Sequence, residues 1–327
     1  MELFWLAVLA LALAVYLVLG GYDLGVGILS GCTRKSGVRD DMAASIAPLW
    51  DGNGTWLVVA GTVLFGAFPA AYSILLSALY VPLAAMLAGL VLRGVAIEFR
   101  GNAESTRPVW DLAFCVGSLL AAFMQGVAVG TYAQGIPVEA LRYAGDGFEW
   151  LSRFPLGCGA AMVIGYALLG AAWLTLKGGA ELQTFARAAV RSLAPLVLVA
   201  ALLVFGTTLS AHEAVEARWA TFPELLILPG AAALALVFAF LASRDRWRQP
   251  FGYVVAASVL LLLTLAVSYV PWLVPFSVTL EDAASPRSSQ QFMFWGAGLF
   301  VLPLVVLYTW TTYMVFRGKV SREDAYH

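Results

Sequence analysis

Several charged side chains stand where an otherwise apolar chain should have none. Asp23 sits in Gly20-Gly21-Tyr22-Asp23-Leu24-Gly25-Val26-Gly27, and Asp51 in Leu49-Trp50-Asp51-Gly52-Asn53-Gly54-Thr55-Trp56-Leu57. Arg93 and Glu98 share Leu92-Arg93-Gly94-Val95-Ala96-Ile97-Glu98-Phe99-Arg100. Asp111 opens the next apolar run and Gln125 lies within it. A charge inside a spanning helix costs about 2.5–3.5 kcal/mol on the insertion scale, so such positions are where function is sought. Burial and a neighbouring cation shift a carboxylate's proton affinity in opposite directions, which suits proton handling.

Each residue also has a plainer reading. Asp51 fits a helix cap holding backbone N–H groups, which does not exclude proton handling. Asp23 fits an interfacial acid reaching for water. Arg93 and Glu98 are five apart, do not face each other on one helix, and fit anchors at a membrane edge. Asp111 fits a charge placed at a helix N-terminus. The small-xxx-small pair Gly21 and Gly25 fits close helix packing better than a ligand site.

The elements that position these residues follow from composition. The chain has 327 residues, 61% hydrophobic and only 12% charged, against about 25% charged in an ordinary soluble domain. Mean hydropathy is +0.84. Too few charges remain to cover a soluble surface, so the chain reads as an all-α integral membrane protein. Secreted, fibrous and disordered classes are excluded on the same ground. The net charge of −1 gives no sign of a nucleic-acid partner. Cys32, Cys115 and Cys158 are widely spaced, without a Cys-x-x-Cys, and form no zinc or redox motif. The two histidines, His212 and His327, lie outside the apolar runs. Haem commonly takes His as an axial ligand, and this chain has at most two to offer.

A spanning helix needs about 20 mostly apolar residues. Nine stretches qualify, over residues 4–30, 55–71, 73–97, 109–131, 154–176, 192–209, 224–242, 251–273 and 292–316. The first lacks the basic flank of a secretory signal and reads as a retained helix. Pro82, Pro195, Pro229 and Pro303 are expected to kink or start helices. The longest connections, 31–54 and 132–153, are too short for a soluble domain. The whole chain reads as one membrane domain, with approximate halves 1–131 and 154–273 and a ninth helix at 292–316.

Alternating nine spans puts fourteen basic residues on one side: Arg34, Lys35 and Arg39; Arg100 and Arg107; Lys177, Arg187 and Arg191; Arg244, Arg246 and Arg248; and Arg317, Lys319 and Arg322. Four, Arg142, Arg153, Arg218 and Arg287, fall on the other, and Arg93 lies inside a span. Basic loops stay cytoplasmic, so the N-terminus is expected outside and the C-terminus inside. Asp23, Asp51, Arg93, Glu98 and Asp111 then all lie toward the cytoplasmic half of the first four spans. Such a cluster suits proton entry from the cytoplasm.

The motifs resemble a known family. Gly21-Tyr22-Asp23-Leu24-Gly25-Val26-Gly27, Trp50-Asp51-Gly52-Asn53-x-x-Trp56-Leu57, Phe65-x-x-Phe68-Pro69-x-x-Tyr72, Tyr80-x-Pro82 and Arg93-Gly94-Val95-Ala96-x-Glu98-Phe99-Arg100 are similar, in order, to subunit II of the cytochrome bd-type quinol oxidases, cyanide-insensitive relatives included. The resemblance is specific over the first 100 residues and rests on length and helix count beyond them. It implies two four-helix bundles plus one peripheral helix in a bacterial inner membrane. It implies a heterodimer with a haem-bearing subunit I, which carries haems b and d and oxidises quinol while oxygen is reduced to water. It implies one or two small single-helix subunits as further partners, and a structural quinone or lipid as a candidate ligand. The resemblance assigns Asp51 to a proton path from the cytoplasm and matches Arg93 and Glu98 to positions of a polar path or structural network; Asp23 joins the proton-path candidates through its place in the cytoplasmic cluster. Gly54 stands where many relatives carry Glu or Gln, and the extra acid some carry near Gly20 is missing. The alternative is a stand-alone proton-coupled transporter, which would place its binding residues near the bilayer midplane on broken helices. Here the charges gather toward one face.

The orientation is checked by reporter fusions. A periplasm-only reporter is expected to work at the N-terminus and a cytoplasm-only reporter at the C-terminus. Both termini on one side would mean an even number of spans.

Overall fold

The computed structural model describes residues 1–245 and 249–319. Arg246, Arg248, Arg322 and His327 lie outside the described residues. Among those described, eight helices are long and apolar enough to cross a membrane. They are α1 (Glu2–Ser30), α5 (Tyr80–Arg100), α6 (Arg107–Gln134), α7 (Arg153–Lys177), α8 (Ala180–Ala211), α10 (Ile227–Ala242, entered by a 3-10 turn from Pro223), α11 (Phe251–Tyr269), and the run Arg287–Val315. That run comprises α13 (Arg287–Met293), a π-helical stretch (Phe294–Val301) and α14 (Leu302–Val315). Shorter helices are α2 (Ser36–Ala44), α3 (Trp50–Ala67), α4 (Pro69–Ala78), α9 (Glu213–Thr221) and α12 (Leu280–Ala283).

The count of nine differs at the second and third stretches. The second forms α3, which starts at Trp50 rather than residue 55. Its polar first turn, Asp51 to Asn53, keeps it out of the eight. It stops at Ala67 because a residue before proline is driven out of the helical region, and Phe68 has φ −134° and ψ 60°. The third stretch breaks at Leu79 into α4 and α5. Pro82 has no N–H for the Ala78 carbonyl four residues back, which interrupts the hydrogen-bond ladder at the Leu79 break. Pro195 is carried inside α8. Pro303 follows the π stretch and opens α14, again where a proline leaves a carbonyl four residues earlier without its donor.

In the first group α1 packs on α3 and α6, and α5 packs on α6; in the second α7 packs on α8 and α11, and α10 on α8 and α11. The seam between them is α7 against α1 and α6. α14 touches α3 at the edge and has no buried residue.

Small residues set the seam. A Cβ on Gly25 would lie 1.8 Å from the Tyr166 carbonyl oxygen, and one on Gly170 would meet the backbone of Gly25 and Val26. In a membrane the helices gain little from hydrophobic exclusion, so contact of this closeness supplies the packing energy. Gly89 and Gly117 do the same between α5 and α6, where a Cβ on Gly117 would sit 2.8 Å from the Arg93 backbone nitrogen.

The α6–α7 connection holds a hairpin, β1 (Val138–Glu139) against β2 (Arg142–Tyr143). Tyr143 donates to the Glu149 carboxylate and accepts from the Gly147 N–H. Partial burial and the carboxylate push its hydroxyl up to about 12, so it stays a donor at neutral pH. A second hairpin, β3 (Trp272–Val274) with β4 (Val278–Thr279), links α11 to α12.

Gly25→Ala is expected to lower stability by about 1–3 kcal/mol, the usual range for overpacking. Gly61→Ala on α3, where a Cβ meets nothing within 4 Å, should be neutral. Heat-inactivation midpoints of the purified complexes compare the two.

Candidate functional site

Two buried ions face each other between α1 and α5. Arg93 Nη2 lies 2.6 Å from Asp23 Oδ1, with side chains 5% and 2% exposed. Gly89 and Gly117 bring α6 against the α5 backbone at this turn, so the guanidinium has no room on that side. The Trp50 ring lies 5.8 Å from the guanidinium carbon and covers it as a cation–π partner. Gly94 leaves space for that ring, since a Cβ there would be 3.1 Å from it. Arg93 Nε has no hydrogen-bond partner among the described residues.

Next to the pair is a ring of hydrogen bonds. Tyr313 donates to Asn53 Oδ1 at 2.9 Å, and Asn53 Nδ2 donates to the Tyr22 hydroxyl at 3.0 Å. The Tyr22 and Tyr313 hydroxyls contact each other and close it. Trp173 stacks on Tyr22 at 4.2 Å between centroids. A fully connected polar network in an apolar surround holds its members in one arrangement.

Asp23, Arg93 and Asp51 line one cleft of about 490 Å³, together with Tyr16, Thr55, Leu57 and Leu90. Asp51 is exposed, whereas Asp23 and Arg93 are buried. Asp51 is the second residue of α3, not its cap. Leu49 holds the cap position, and no side chain caps this helix. Its charge still favours the positive end of the helix.

Glu98 is not in the cleft. It is exposed and makes no hydrogen bond or ion pair with a described residue. Five residues at about 100° each turn it some 140° away from Arg93 on the helix. Arg93 and Arg100, seven apart, share a face, and both are buried. Asp111 joins a separate cluster. Arg100 Nε lies 2.6 Å from Asp111 Oδ1, and Arg100 Nη2 lies 2.7 Å from Asp40 Oδ1. Arg107 binds Asp40 at 2.5 Å, and Arg39 binds Asp111 at 3.1 Å. Arg39 Nε also donates to the carbonyls of Ser30 and Thr33. This cluster ties α2 to the ends of α1, α5 and α6. The sequence reading did not pick out Asp40 for this role or Tyr313 for the ring. The seven-residue spacing of Arg93 and Arg100 was a usable signal; nothing in the sequence linked Tyr313 to Asn53.

Over residues 1–316 the chain matches the family described as cytochrome bd terminal oxidase subunit II. The chain belongs to that family. It is 30% identical to the Escherichia coli K12 cytochrome bd-I ubiquinol oxidase subunit 2, covering 98% of this chain and 95% of that one. It is 28% identical to the Bacillus subtilis 168 cytochrome bd ubiquinol oxidase subunit 2, covering 98% and 97%. A bd oxidase structure from Geobacillus thermodenitrificans shares the fold, with a TM-score of 0.78 at 20% identity, covering 96% and 98%. Membership makes this chain one subunit of a bacterial inner-membrane quinol oxidase that has a partner subunit I and uses haem. His212, the described histidine, lies past the end of α8 and stacks on Phe276 at 4.6 Å.

Removing one member of the buried pair leaves the other charge unpaired, which costs about 3–5 kcal/mol. Asp23→Asn and Arg93→Met are each expected to lose much of the thermal stability of the complex. The double substitution Asp23→Leu with Arg93→Met should lose clearly less than the two singles together. Melting of the purified complex, followed by haem release, measures the three.

Proposed function

We propose that this subunit supports the haem-bearing subunit and supplies protons to it from the cytoplasm through the cleft. The observation that carries the proposal is one cleft with an exposed acid at its opening and a buried acid–arginine pair in its wall. The basic end of the molecule faces the cytoplasm in this reading. Asp51 takes a proton from water there. Inside, a cleft of about 490 Å³ has room for several waters at about 30 Å³ each. The N–H groups of Arg93 not taken by protein acceptors orient that water. Asp23 and Arg93 keep the wall polar at a depth where apolar side chains would exclude water. Glu98, exposed near the same end and outside the cleft, is a secondary candidate for proton entry.

The cleft also marks where the partner sits. Asp51, Val58 and Leu87 are exposed lining residues. A carboxylate facing lipid is unfavourable by a few kcal/mol. A protein partner that covers this opening removes the penalty and receives the proton. The haems and the reduction of oxygen belong to that partner in this proposal, and the chain alone is inactive.

Because Asp51 does not cap α3, Asp51→Asn and Asp51→Ala are expected to behave alike. Both should leave assembly and haem content intact and slow oxygen consumption at least about tenfold, the lower range for loss of one proton-transfer group. Full turnover in Asp51→Asn would move the proton route away from this residue.

A further inference from the structure

α14 is an apolar helix with no buried residue, and apolar contact with the core is confined to a few partly exposed side chains, Leu302, Val305 and Tyr313. A short set of polar contacts adds to these, and one of them reaches Asn53 in the cleft wall. Tyr313 donates to Asn53 and touches the Tyr22 hydroxyl. Trp56 Nε1 donates to Thr309 Oγ1 at 3.1 Å. Gly52 leaves the Tyr308 ring room, since a Cβ there would stand 3.1 Å from it. Lys177, at the end of α7, donates to the carbonyls of Phe316 and Gly318 just past the end of α14. That is the favourable place for a cation at a helix C-terminus. The Lys177 ammonium also lies 5.1 Å from the Trp173 ring, and Trp173 is the residue stacked on Tyr22.

Two of these contacts, Tyr313 on Asn53 and Tyr308 beside Gly52, fall on the first turn of α3. Asn53 is two residues from Asp51, and Tyr22 is next to Asp23. The Tyr22–Asn53–Tyr313 ring therefore joins the turn carrying one acid to the turn carrying the other. We propose that α14 is a latch on the proton-uptake cleft and that Tyr313 is its positioning residue, holding Asp51 in register with Asp23. The proposal rests on the proton-path reading of Asp51. Tyr313 acts through Asn53 and touches no reacting group.

The test uses the complex co-expressed with its partner subunit and has two arms. Tyr313→Phe keeps the aromatic ring and removes the hydroxyl, so the helix stays packed against α3. In the first arm, oxygen consumption per haem is measured in wild type, Tyr313→Phe, Asp51→Asn and the double variant. Tyr313→Phe should lower kcat about fivefold, which converts to about 1 kcal/mol, with the quinol KM unchanged. In the Asp51→Asn background the same substitution should do nothing further. In the second arm, Asp51→Cys reports the position of the turn directly. Its alkylation by a maleimide, quantified at that peptide by mass spectrometry, should speed up severalfold when Tyr313→Phe is added. Unchanged labelling overturns the latch whatever the turnover does. Additive losses in the first arm, or lost haem content with normal turnover per haem, also overturn it. Full turnover in Asp51→Asn with faster labelling in the second arm defeats the proton-path reading while leaving the latch standing.

Discussion

A carboxylate and a guanidinium buried side by side in an apolar bundle constrain everything around them. Each ion is costly to bury alone, so Asp23 and Arg93 must be brought together before either helix can settle. The approach requires α5 to lie against α6 at glycine distance and α1 to lie against α7 at glycine distance. The glycines that set these distances are therefore part of the electrostatics. A side chain at Gly117 would move the Arg93 backbone and pull the pair apart.

The same pair shapes the cleft. Trp50 covers one face of the guanidinium, and Asp51, the next residue, consequently stands at the opening of the cleft. Asn53, two residues on, lines the same cleft and bonds the tyrosine ring. Three residues of one helical turn thus do three things: cover a cation, present an acid, and anchor α14. The ion cluster of Arg39, Asp40, Arg100, Arg107 and Asp111 lies beyond, with Arg100 buried at its centre and solvent screening weakening the Arg107–Asp40 pair at its edge. Its value is geometric, since it joins α2 to three helix ends at once.

How much of this was legible beforehand depends on range. Asp23, Asp51 and Arg93 were identifiable because charge inside an apolar run is conspicuous and because the basic loops placed all three at one end. Their meeting in one cleft agrees with that placement. Glu98 was grouped with them by its cytoplasmic placement and by the family resemblance, but the helical rotation between residues 93 and 98 turns it outward. The cap reading of Asp51 depended on where α3 begins, and a start at Trp50 rather than residue 55 moved the cap to Leu49.

Composition by itself determined that the chain is helical and lives in a membrane, because a backbone in lipid has to satisfy its own hydrogen bonds. The five ordered motifs determined the family. Local proline chemistry explains the breaks at Phe68 and Leu79 once the helices are seen, although hydropathy alone ran the third span straight through Leu79. Only the tertiary structure decided that Arg93 pairs with Asp23 rather than with Glu98, and that Tyr313 closes a ring with Tyr22 and Asn53. These partners lie on different helices, 70, 291 and 260 residues apart in the chain. The choice is made by which helix faces can approach closely, and that is a property of the packed glycines rather than of any one segment.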